Sequence, residues 1–111
     1  MSSGRRVLLD ECVPDRLSRE LTGFAVSTVP REGWASQRNG DLLRLMRDAG
    51  FEVFVTMDRN LSYQQNVAAA GIAVVVLRAR TNRLQDLLPL MPRAEEVIAT
   101  VIIGQVAHVS G

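Results

Sequence analysis

The chain of 111 residues contains no lysine; all thirteen of its basic residues are arginine. That excludes Schiff-base and other chemistry that depends on a lysine ammonium. Cysteine is almost as scarce. Cys12 stands alone, which rules out an internal disulfide and a thiolate zinc cluster and fits a reducing compartment. The single histidine, His108, lies near the far end of the chain from Cys12, so no local Cys-His nucleophile pair is present. Net charge is only +1, far from the strongly basic balance that announces nucleic-acid binding unaided. No apolar run is long enough to span a bilayer, and the start from Met1 to Arg6 leads into only a short apolar stretch, so no signal peptide is expected. A cytoplasmic protein without membrane contact is the expectation.

What is present is a globular composition. Hydrophobic residues make up 47% of the chain and mean hydropathy is +0.08, which suits one domain over 1–111 with loose ends at 1–4 and 110–111. The apolar pattern alternates between short runs and amphipathic stretches. Strands are expected at Arg5 to Asp10, Phe24 to Thr28, Val53 to Met57, Ile72 to Leu77 and Gln105 to Val109. Between them, helices are expected from Pro14 to Gly23, from an Asn39 cap to Gly50, from about Asn60 to Gly71, after an Asn82 cap, and from Pro92 to about Ile103. The first of these would bury Leu17 and Leu21. In the second, Leu42, Leu43, Leu45, Met46 and Ala49 share one face. Residues 30–38, with Gly33 and Trp34, read as an ordered loop. Such alternation predicts an α/β fold: a mostly parallel central sheet of about five strands with helices on both faces.

Three aspartates are placed unlike packing residues. Asp10 closes Val7-Leu8-Leu9, Asp58 follows Val53 to Met57, and Asp41 opens the amphipathic stretch ahead of that strand. In an open α/β sheet, ligands bind outside the carboxyl ends of the strands. If the strands ending near Asp10 and Asp58 are neighbours, their carboxylates form a site for a hard divalent cation. Structural readings stand beside this one. Asp41 could simply complement its helix dipole, an effect of about 0.3–1 kcal/mol, and Asp58 could cap the following helix. Cys12 suits packing better than nucleophilic attack, and Trp34 suits anchoring its own loop.

Five pieces in order resemble the PIN-like domain family, in particular its small stand-alone bacterial branch. They are Leu8 to Pro14, Glu32-Gly33-Trp34, Asn39 to Leu43, Thr56 to Leu61, and Val74 to Arg78. The resemblance implies a Mg²⁺- or Mn²⁺-dependent ribonuclease, similar to the toxins of toxin-antitoxin pairs, with RNA as substrate and an antitoxin protein as partner. A homodimer is a further expectation. Carried over by position, Asp10, Asp41 and Asp58 are the implied catalytic acids and metal ligands, with Glu11 as an additional candidate ligand. The family's usual helix-borne glutamate has no match. Substrate contacts are expected from Arg59, Asn60, Thr56 and Arg38. Two other functions compete: a catalytically weak PIN-like module that binds a protein, and a phosphoacceptor receiver-like domain, which would need a lysine the chain lacks.

Overall fold

The computed structural model describes residues 4–59 and 64–111. Five strands form one sheet: β1 (Arg6–Leu9), β2 (Ala25–Thr28), β3 (Val53–Thr56), β4 (Ala73–Arg78) and β5 (Val106–Ser110). Every pairing is parallel, and the spatial order is β2-β1-β3-β4-β5. The expected α/β fold is therefore present, with a sheet that is wholly parallel. Its helices are α1 (Asn39–Asp48), α2 (Gln64–Ala70), α3 (Leu84–Leu87) and α4 (Met91–Thr100).

Alternation along the strands divides the core between two faces. Val7, Leu9, Val53, Val55, Val75 and Leu77 pack with Leu17 and Leu21, and with Leu87, Met91, Ala94 and Ile98 from the α3–α4 segment. On the other face Leu8, Phe54, Val74 and Val76 meet Leu42, Leu43 and Met46 of α1 and Val67 of α2. Leu45 and Ala49 are only half-buried at the margin of α1. Both faces are covered, so three central strands can consist almost entirely of apolar residues.

The connections from β1 to β2 and from β4 to β5 share the first face but move in opposite directions along the sheet. They therefore have opposite hands, and one departs from the right-handed crossover that parallel strands normally adopt.

Several local expectations are corrected. The segment after Pro14 is a 3-10 helix of five residues, Asp15–Arg19, rather than an α-helix reaching Gly23. So short a segment gains little from helix propagation, and it is held by burial of Leu17 and Leu21. Arg38, not Asn39, occupies the cap position of α1, and it makes no side-chain capping bond. The helix backbone simply begins one residue early. α4 starts at Met91 with proline in its first turn and ends at Thr100, short of Ile103. Ser110 is not loose, because it pairs with Arg78 at the end of β5. At the other end, the Gly4 amide donates to the Gly23 carbonyl at 3.4 Å.

The loop before α1 is tied down by aromatic contact. Trp34 meets Phe51 edge to face with ring centroids 6.1 Å apart, and the Arg6 guanidinium lies over the same Phe51 ring at 4.4 Å. Gly50, at φ +91, closes α1 where a side chain would strike Arg6.

Candidate functional site

The chain leaves β1 in one direction to form β2 and returns past it to form β3, so the sheet order reverses between β1 and β3. Ligands of doubly wound sheets bind at such a switch point, outside the carboxyl ends of the strands. Asp10 and Asp58 lie just beyond the ends of these two strands. The Asp10 amide donates to the Val55 carbonyl at 2.9 Å, which carries the β1–β3 pairing past the last strand residue and fixes Asp10 at that edge.

Thr56 joins the two acidic positions. Its hydroxyl donates to Asp10 Oδ2 at 2.7 Å and accepts the Asp58 amide at 3.1 Å. Asp10 Oδ1 accepts the Glu11 amide at 2.8 Å, and the Cys12 thiol lies 3.6 Å from Oδ2 as a further donor. Both carboxylate oxygens are thus oriented by donors; Oδ2 accepts two of them, and Oδ1, which accepts one, retains a lone pair for a ligand. Burial pushes the Cys12 thiol above its ordinary value of 9.0, and the nearby Asp10 charge pushes the same way, against a hydrogen bond with the Met57 backbone. A thiol kept protonated at neutral pH is a donor to Asp10 and a poor nucleophile.

Thr56 is completely buried. That corrects its expected part in substrate contact: a hydroxyl shut off from solvent can only position Asp10 and the Asp58 backbone. Thr56→Val keeps the side-chain shape but leaves the Asp10 carboxylate short of a donor and the Asp58 amide short of an acceptor. The expected loss is about 2 kcal/mol in urea unfolding, with Thr56→Ser close to the parent. A valine variant as stable as the parent would show that this hydroxyl orients nothing.

The other expected residues are distributed around this pair. Asp41 is exposed in the first turn of α1, where Arg44 meets it at 3.0 Å; this is an i, i+3 pair along the helix. Glu11 is exposed beside Asp10. Arg38 is exposed at the start of α1. Arg59 is exposed and donates to the Ala79 carbonyl at 3.3 Å, so it reaches over the carboxyl end of β4. Asn60, with Tyr63, lies outside the described residues.

Among the described residues, no group of three or more Asp, Glu, His or Cys side chains is placed to hold a metal ion. The Asp10 carboxylate at this edge suits an ion that keeps most of its waters and shares itself with a substrate phosphate, as Mg²⁺ does with one or two carboxylates. It does not suit a cage supplied wholly by protein.

No family model, curated protein or solved structure matches this chain.

Sequence reasoning missed one residue of this edge. Asn82, expected to cap a helix, is not at the cap of α3, which falls to Arg83. Thr81 performs the local turn bonding instead, accepting the Arg83 amide at 3.0 Å and donating to Asp86. Asn82 is left to cross to the β1 edge, where its Nδ2 donates to the Cys12 carbonyl at 3.2 Å. A cavity of about 650 Å³ is bounded by the segment after β1, the loop after β2 and Asn82.

Proposed function

We propose that this chain is a metal-dependent ribonuclease of PIN-like type, the toxin of a toxin-antitoxin pair, hydrolysing RNA phosphodiester bonds with Mg²⁺ or Mn²⁺. The observation that supports this reading is the placement of Asp10 and Asp58 about Thr56 at the β1–β3 switch point. Asp10 would hold the ion, fixed by the Glu11 amide and the Thr56 hydroxyl, with Asp58 as the second carboxylate. When bound, such an ion supplies polarisation of a phosphoryl oxygen and an activated water. Arg59 would meet the RNA backbone, since one guanidinium donor is spent on Ala79 and the planar fork has others free for phosphate. Asp41 would act from the margin of the site through water. An antitoxin protein would be the partner that holds the activity in check.

The test is cleavage of single-stranded RNA by the full chain with Mg²⁺ or Mn²⁺ and with excess chelator. Cleavage is expected with either ion and is expected to stop in chelator. Equal cleavage under all conditions removes the metal-dependent reading.

The pairing of Asp41 with Arg44 favours a second reading, a catalytically weak PIN-like module whose task is to bind a protein. Metal-dependent turnover separates the two. The strand order is also the one used by phosphoacceptor receiver domains, but a chain without lysine lacks the cation that such a site uses.

A further inference from the structure

We infer that Arg78, Arg80 and Arg83, with Arg59 beside them, form a track that binds the phosphates of single-stranded RNA and leads the strand to Asp10. The inference deepens the ribonuclease reading and rests on it for what happens at Asp10. Residues 78–83 read Arg-Ala-Arg-Thr-Asn-Arg, and as far as residue 86 the only acid is Asp86, in a chain whose net charge is only +1. All three arginines are exposed.

Two long-range bonds fix this loop across the proposed site. Arg59, which follows Asp58 in the chain, donates to the Ala79 carbonyl at 3.3 Å, and the Asn82 side chain donates at 3.2 Å to the carbonyl of Cys12, two residues past Asp10. The loop therefore runs from the end of β4 to the segment after β1. Because β3 lies between those two strands, residues 79–82 pass the carboxyl end of β3, the end that Asp58 follows. Arg80 falls between the two ties, and Arg78 and Arg83 each lie one residue outside them. Thr81 stiffens the turn by accepting the Arg83 amide at 3.0 Å and donating to Asp86.

Charge and composition select the ligand. Arg5, Arg31, Arg44 and Arg47 each meet a carboxylate within 4.0 Å, whereas Arg78, Arg80 and Arg83 are in no ion pair among the described residues. Clustered like charges repel one another in the folded chain. A polyanion relieves that repulsion, and the release of its counterions favours the complex. A protein interface has an apolar centre depleted of charge, and residues 78–83 offer only Ala79 for one. A nucleic-acid strand needs no such centre, since the planar fork of arginine matches phosphate directly. Contacts of this kind position a strand without reading its bases, so the track should accept any sequence.

The experiment measures binding of fluorescein-labelled oligouridine and oligoadenine by anisotropy, in excess chelator and over a range of salt. It compares the full chain with a variant carrying Arg78→Gln, Arg80→Gln and Arg83→Gln. A control makes the same charge change in the 3-10 helix and α4, with Arg16→Gln, Arg19→Gln and Arg93→Gln, and circular dichroism checks the folding of both variants. Loss of three phosphate contacts is expected to reduce the slope of log affinity against log salt by about 2, and to weaken both oligomers at least about tenfold at about 0.1 M salt, well beyond the control. No binding by the parent, a loss no larger than the control's, a loss for one oligomer alone, or tighter binding of polyglutamate than of RNA would overturn the track. Because binding is read in chelator, a track that stands without metal-dependent cleavage would remove only the nuclease reading. Metal-dependent cleavage with the parent's KM in the arginine variant would do the reverse.

Discussion

On the proposed ribonuclease reading, Asp10→Asn is expected to slow RNA cleavage by about 100- to 1,000-fold, the usual cost of removing one preorganised electrostatic element from a reacting site. The substitution keeps the size and the hydrogen-bonding outline of the side chain and removes its charge. Asn Oδ1 can still accept the Glu11 amide, and its Nδ2 can donate to Thr56 if the hydroxyl reverses its own role. The charge-assisted bond from Thr56 is lost, so stability should fall by about 1–3 kcal/mol while the fold persists. The measurement is single-turnover cleavage at saturating Mn²⁺, with circular dichroism and urea unfolding run on the same preparation. Loss of activity in a folded variant supports Asp10 as the centre of the site. A variant that cleaves as fast as the parent would move the chemistry elsewhere, whatever the metal dependence.

Phe54→Ala should produce the largest loss of stability in the chain. Phe54 is 1% exposed and lies in β3, with Leu8 beside it in β1 and Val74 in β4. Its ring meets the layer formed by α1 and α2. Truncation removes the transfer free energy of the ring and leaves a void that a sheet fixed on three sides cannot close. The expected cost is about 3–5 kcal/mol, a large part of the roughly 5–15 kcal/mol that holds a typical domain together. Leu88→Ala supplies the contrast, because Leu88 is 37% exposed and its truncation should cost no more than about 0.5 kcal/mol. Equal losses in the two variants would contradict a core centred on β3. Urea unfolding decides the matter.

Much of this architecture is legible along the chain. The runs ending at Leu9, Thr56 and Arg78 become strands because apolar, often β-branched residues fit a sheet covered on both sides, and α1 follows from the spacing of Leu42, Leu43 and Met46. The errors lie where local pattern is weak. Leu17 and Leu21 have helical spacing, yet only Asp15–Arg19 winds, as a 3-10 helix, because tertiary packing, and not propensity, determines the form of so short a segment. Asn82 carries a capping residue's chemistry, but Thr81 takes the turn bonds and frees it for Cys12.

The candidate site shows the same division. Asp10 and Asp58 stand out in sequence because a carboxylate just past an apolar strand has no packing role. Nothing local reveals that Thr56 is the atom-level link between them, since a threonine ending a strand is ordinary, and its partners lie 46 and 2 positions away. The sequence by itself determined the elements and the acidic character of one sheet edge, because periodicity and composition act over a few neighbouring residues. Only the tertiary structure decided the order β2-β1-β3-β4-β5, the pairing of Asp10 with Thr56, the separate pairing of Asp41 with Arg44, and the cavity beside Glu11. Strand neighbours are chosen by long-range packing and hydrogen bonding, which no local spacing encodes.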